Sequence, residues 1–227
     1  LIAYNTIKEA GILVKNGKFK SITTLPVTKE SINLIDKDFY GHTEFYQKLW
    51  DEKKVFMTFV SEKMNLLLLT THIPLKDVSS HLNKELLESG INIALEMRDR
   101  LGLSKKICLL GLNPHAGENG LLGDEEFVFK EVLKKFDSSK IEGPIPSDTA
   151  FIPYNLNKYS IFIAVYHDQG LIPFKMVAFD DGVNLSFGMK YIRTSVDHGT
   201  GIGLIGKKSA NTKSFENAYN LAFKLTN

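Results

Sequence analysis

The sequence predicts an α/β domain built on a mixed sheet, and three observations lead there. Apolar runs of strand length alternate with helical patterns along the 227 residues. Two of the runs, residues 55–60 and 65–70, are separated by four residues and read as a hairpin, so the sheet is not wholly parallel. Three fully apolar runs end directly on a histidine, as expected where strands deliver side chains to one rim of an open sheet.

Taken in order, a helix over 4–15 ends at Asn16-Gly17, and a strand over 19–24 precedes Pro26 and a short helix near 28–35. After the hairpin, a helix over 83–100 carries Leu86, Leu87, Ile91, Ala94 and Leu95 on one face and stops at Gly102. A buried strand follows over 107–112. Asp124-Glu125-Glu126 opens a helix bearing Phe129, Val132, Leu133 and Phe136, its acids matched to the N-terminal dipole. Residues 160–166 form another buried strand, and glycine-rich loops are expected over 170–206. A last helix, 213–225, presents Phe215, Ala218, Tyr219 and Ala222.

Composition narrows the function classes. The chain is 43% hydrophobic and 24% charged, a globular balance with neither a spanning apolar run nor a disordered tract. A net charge of +2 carries no nucleic-acid footprint. The single Cys108, inside an apolar run, excludes an intrachain disulfide and reads as a packed thiol. Without a leader pattern the expected location is cytoplasmic. The first residue is Leu1, directly before a helix, so N-terminal residues are expected to be missing.

His72, His115 and His167 are the three histidines that end apolar runs. Three imidazoles with an open fourth position form the ligand set of a catalytic divalent metal, although a histidine after a strand is also an ordinary loop residue. Asp168 and Asp197 adjoin His167 and His198, either orienting imidazoles or as solvated acids. Of 28 cationic residues only Arg98, Arg100 and Arg193 are arginines, and Arg193 lies between glycine-rich turns, where a guanidinium fork matches a carboxylate or phosphate. Lys175, eight residues after His167, is on its own evidence a solvated lysine. Gly201-Ile202-Gly203-Leu204-Ile205-Gly206 matches G-x-G-x-x-G but leads into Lys207-Lys208-Ser209, so it reads as a flexible loop. There is no P-loop and no G-x-S-x-G serine elbow.

Six words then occur in order: Gly41-His42-Thr43-Glu44-Phe45, Thr70-Thr71-His72-Ile73-Pro74-Leu75, Gly111-Leu112-Asn113-Pro114-His115-Ala116-Gly117-Glu118, Pro146-Ser147-Asp148-Thr149, Tyr166-His167-Asp168-Gln169-Gly170 and Arg193-Thr194-Ser195-Val196-Asp197-His198-Gly199-Thr200. Together they resemble the 4-hydroxythreonine-4-phosphate dehydrogenases of pyridoxine 5′-phosphate biosynthesis, from about residue 5 to the C-terminus. The resemblance implies an α/β/α fold of two subdomains similar to isocitrate and isopropylmalate dehydrogenases, and a homodimer with its active site at the subunit interface. It implies a cofactor-side domain over 1–40 and 185–227 and a central metal and dimerisation domain over 41–184. His72, His115 and His167 fall on the family's metal ligands, shared between two subunits. His42, Thr43, Lys175, Asn184 and Arg193 fall on substrate-binding positions, and Lys175 and Asp148 on catalytic ones. The implied cofactors are NAD or NADP and a divalent metal, zinc by ligand type, with magnesium or cobalt as alternatives; no residue is assigned to the nucleotide. The implied substrate is a small phosphorylated molecule, with no nucleic acid and no membrane.

Three departures stand out. The family's glycine-rich Pro-Gly-x-Pro-x-Gly-x-Gly-Pro segment is not in this sequence, Gly203 stands where the family often has an acid, and Leu25 where many relatives have glycine. Readings left open are a paralogue acting on a four-carbon sugar-acid phosphate, a metal-dependent hydrolase, and an inactive, truncated dimerising fragment.

Overall fold

The computed structural model describes residues 1–207 and 209–226. In chain order the elements are α1 (Ile2–Lys15), β1 (Ser21–Thr24), α2 (Lys29–Asn33), α3 (His42–Trp50), β2 (Phe56–Val60), β3 (Asn65–Leu68), α4 (Val78–His81), α5 (Lys84–Arg100), β4 (Lys106–Leu110), α6 (Glu126–Leu133), β5 (Ile141–Ile145), α7 (Ser147–Ala150), α8 (Pro153–Lys158), β6 (Tyr159–Ala164), α9 (His167–Ala178), β7 (Val183–Phe187), β8 (Ile192–Val196) and α10 (Lys213–Thr226). Short 3-10 turns cover Leu75–Asp77, Pro114–Gly120 and Ile202–Leu204. The mixed α/β class expected from the sequence is the one observed. The chain divides into two compact units, Leu1–Val55 with Asp180–Asn227, and Phe56–Phe179.

In the second unit the strands lie in the order β2-β3-β6-β4-β5. β2 and β3 form the antiparallel hairpin, and β3, β6, β4 and β5 run parallel. Leu66, Leu68, Cys108, Leu110, Phe162 and Ala164 pack with Phe174 and Ala178 of α9. The alternate residues Leu67, Leu109, Ile161 and Ile163 are equally buried and point to the other face, on which α5 lies. Helices thus cover both faces of these strands, which explains why they read as continuous apolar runs. α5 buries Leu87, Gly90, Ile91, Ala94 and Met97 and leaves Leu86 and Leu95 at the margin, a face turned slightly from the expected one. Burial pushes the Cys108 thiol pKa upward, in keeping with an inert packed residue.

In the first unit β8 lies between β1, parallel to it, and β7, antiparallel to it. α3, for which no helix was expected, packs on α1: the Tyr46 hydroxyl donates to the Ile7 carbonyl at 3.0 Å and Trp50 Nε1 to the Gly11 carbonyl at 3.0 Å. Those two rings stack with centroids 4.7 Å apart.

Two expectations fail. Residues 170–206 are not mainly loop, because α9 continues to Ala178 and the β7–β8 hairpin follows. Gly170 is no turn here: a Cβ on it would sit 2.7 Å from Leu66 Cδ1 and 2.9 Å from Ala164 Cβ, so its bare Cα is what lets α9 lie close on β3 and β6. The strands of the hairpin were hidden by polar residues that are nonetheless buried, Ser186, Arg193, Thr194 and Ser195. On α10 only Ala218 and Ala222 are buried, whereas Phe215 and Tyr219 are exposed and, with exposed Phe223, form an apolar stripe at four-residue spacing.

Candidate active site

The parallel strands β3, β6, β4 and β5 end on one rim, and the segments that leave them carry the residues of interest. His72 follows β3, His167 opens α9 after β6, His115 follows β4 and Asp148 follows β5 on α7. β3 and β6 are neighbours, and the rings of His72 and His167 come together with centroids 5.8 Å apart. They line a cavity of about 440 Å³ with Thr71, Ile73, Tyr166 and Asp168. His167 Nδ1 lies 2.6 Å from Asp168 Oδ1, so this solvent-exposed acid also contacts the imidazole. A carboxylate on Nδ1 leaves Nε2 with the lone pair that a metal takes.

His115 does not join that pair. Among the described residues no group of three or more His, Cys, Asp or Glu is placed to hold a metal ion. Its Nδ1 lies 3.3 Å from Glu118 Oε2, so it too has a carboxylate on Nδ1 and an available Nε2. Asp148 is exposed on the rim, and Ser147 beside it receives a 2.7 Å hydrogen bond from Gln169 Nε2. Gln169 also donates to the Gly111 carbonyl at 2.6 Å, and its Oε1 accepts from the Val165 amide at 2.6 Å. One buried amide thus ties together the ends of β6 and β4 and the start of α7; Gln169 was quoted in the sequence but given no duty. Lys175 is half-buried on α9, eight residues and about 12 Å of helical rise beyond His167.

The first unit holds a different chemistry. The register pairs Ser186 with Arg193 and Asn184 with Ser195, which sets these four side chains on one face of the hairpin. Arg193 is buried, and its four hydrogen bonds among the described residues all go to hydroxyl oxygens. Nε and Nη2 donate to Thr24 Oγ1 at 3.2 and 2.9 Å, and Nη1 donates to Thr43 Oγ1 and Ser186 Oγ at 2.9 Å each. Burial lowers its pKa to about 10, against the opposing influence of Tyr46 and Glu44, so it stays charged at neutral pH. It lines a cavity of about 200 Å³ with Thr24, Lys29, His42 and Ser195. Burial, reinforced by Arg193, lowers the His42 pKa to about 4 and keeps that imidazole neutral. Asn184 Oδ1 is buried without a donor. His42, Thr43, Asn184 and Arg193 therefore all lie in this unit, and Lys175, Asp148 and the three histidines in the other. Thr24, Ser186 and Ser195 were missed; short hydroxyl residues inside strands give no sequence signal. His198 is not gathered into either group, its Nδ1 lying 2.9 Å from the Gly199 carbonyl.

The two halves describe an α/β protein with an imidazole rim at strand C-termini and a buried cation facing an anion-sized cavity. A model of the family "pyridoxal phosphate biosynthetic protein PdxA" matches residues 1–222, and the chain belongs to that family. Its fold is similar to a crystal structure of 4-hydroxythreonine-4-phosphate dehydrogenase from Klebsiella pneumoniae, with TM-score 0.85 and 35% identity over 99% of this chain and 69% of that one. A structure of the same description from Burkholderia phymatum gives 0.78 and 33% over 98% and 69%. Isocitrate dehydrogenase from Methylococcus capsulatus, at 0.57 and 11% over 88% and 66%, shares the fold alone.

Proposed function

We propose that the protein oxidises the secondary alcohol of 4-phosphooxy-threonine with NAD or NADP, giving a β-keto acid that loses carbon dioxide to form 3-amino-2-oxopropyl phosphate. The observation that carries the reading is Arg193, a buried guanidinium whose hydrogen bonds among the described residues all go to hydroxyls, at the edge of a small cavity. Four of its five N–H donors are given to hydroxyls, so what it offers a phosphate is a buried positive charge and the remaining Nη2 N–H. Neutral His42 adds a hydrogen bond without a competing charge, Thr43 and Thr24 hold the guanidinium plane, and Asn184 offers an unused acceptor to a substrate hydroxyl or ammonium. These residues bind one end of the substrate and so orient the carbon that reacts.

His72 and His167, with Nδ1 of the latter held by Asp168, fit a divalent cation of the zinc type, and His115 of a second copy supplies the third imidazole. A cation held by these imidazoles would supply Lewis-acid stabilisation of negative charge on a substrate oxygen, and a bound nicotinamide would supply the hydride acceptor. To Asp148, on the rim, and Lys175 we assign the two proton transfers: the alcohol O–H gives up its proton as the hydride leaves its carbon, and the enolate left by loss of carbon dioxide takes one up on carbon. A homodimer is favoured by exposed Ile172 and Met176 on α9, exposed Phe179 directly after it, and exposed Leu121, Leu122 and Phe127 around the His115 loop, apolar surface on both partners of the implied contact.

The test is formation of reduced nicotinamide from 4-phosphooxy-threonine, from its unphosphorylated analogue and from a four-carbon sugar-acid phosphate. Turnover confined to the first supports the assignment. Preference for the last moves the protein to the paralogous reaction, and metal-dependent release of phosphate without nicotinamide reduction overturns the reading.

A further inference from the structure

We propose that Glu126 is the positioning residue for His115, holding through Asn113 the loop that aims the imidazole; the inference rests on the reading of His115 as a metal ligand. The acids at 124–126 were expected to complement the N-terminal dipole of the helix they open, but Glu126 is only 3% exposed. Its carboxylate does not cap α6. It turns back to the end of β4, where Oε1 accepts the Asn113 N–H at 2.7 Å and Oε2 accepts Asn113 Nδ2 at 2.9 Å. The same Nδ2 donates to Glu125 Oε2 at 2.6 Å.

Only Pro114 separates Asn113 from a backbone of unusual hand. His115, Ala116, Gly117, Glu118 and Asn119 have φ of 51, 51, 75, 42 and 57°, five consecutive residues in the left-handed region. Each non-glycine member costs roughly 1–2 kcal/mol, so the stretch persists only where its surroundings hold it. Lys130 Nζ holds the far end by donating to Asn119 Oδ1 at 3.0 Å, and Glu126 and Asn113 hold the near end. A Cβ on Gly117 would lie 2.6 Å from Glu126 Oε2, and one on Gly123 would lie 2.3 Å from Asn113 Nδ2, so the loop closes directly on these two side chains. Among the described residues Glu126 forms no ion pair. A buried carboxylate without a cation is costly, and an apolar residue would fill the space more cheaply if only packing were required. What the carboxylate adds is two directed hydrogen bonds at the point where the loop leaves the strand.

The experiment is zinc titration of the apo-protein by calorimetry, with Tm recorded beside it, for wild type, Glu126→Ala, Glu126→Gln and His115→Ala. Glu126→Ala is expected to weaken zinc binding by roughly tenfold, as loss of an orienting partner does. Glu126→Gln keeps an acceptor for the Asn113 N–H and is expected to recover most of that loss. Should the alanine variant not fold, Asn113→Ala takes its place and is expected to weaken zinc binding in the same direction. Unchanged zinc affinity in Glu126→Ala or Asn113→Ala, with only a lower Tm, overturns the proposal and leaves Glu126 a packing residue. If His115→Ala itself binds zinc like wild type, the ligand role fails and the proposal with it.

Discussion

Arg193 and His42 show how a single side chain sets chemistry by what surrounds it. Replacing the guanidinium by an ammonium keeps the charge but not the fork, and three hydroxyls positioned for planar donors lose their geometry. Arg193→Lys is expected to raise KM for the phosphorylated substrate by roughly tenfold, about 1.4 kcal/mol of charge-assisted bonding. Zinc per subunit, measured by metal analysis, is expected to stay unchanged. For His42 the folded pKa of about 4 lies below the unfolded value of 6.5. The unfolded chain therefore binds the proton first, so this group's stabilisation is complete above pH 6.5 and is lost as pH falls toward 4. The loss is about 3 kcal/mol in full. Denaturation of His42→Asn across that window is expected to show a shallower acid limb than wild type.

At the scale of elements, the contact of α9 with β3 and β6 fixes where His167 points. Gly170→Ala places a methyl against Leu66 and Ala164 and is expected to lower stability by about 1–3 kcal/mol, read as a fall in Tm. Elements of this kind divide what the sequence discloses from what it conceals. β3, β4 and β6 were legible because both of their faces are buried, and a run such as Ile161-Phe162-Ile163-Ala164 has no other comfortable structure. The histidines at their ends were legible for the same reason. α9 was concealed because Gly170 and Pro173 carry turn chemistry in isolation and helix-packing chemistry in place. β7 and β8 were concealed because the residues that bind one another around Arg193 are polar, so the buried polar cluster erased the hydrophobic pattern. The buried role of Glu126 was invisible because acids at a helix start already have a sufficient local reason to be there.

For the molecule as a whole, the decisive fact is that one chain gathers His72 and His167 but leaves His115 on another part of the rim. If a second copy completes the set, His167→Ala and His115→Ala are each inactive and zinc-poor alone. Mixed, dissociated and reassociated, they form heterodimers in which one of the two sites has all three rings. Activity is then expected to return to about a quarter of the wild-type level, since half of the random pairs are mixed. No recovery after verified subunit exchange argues for a site contained in one chain. A shared cation site also ties turnover to dilution. With such a site, the rate below the dissociation constant of the pair would fall with the square of protein concentration instead of in proportion to it, so the number of imidazoles a lone subunit collects would set the kinetic order.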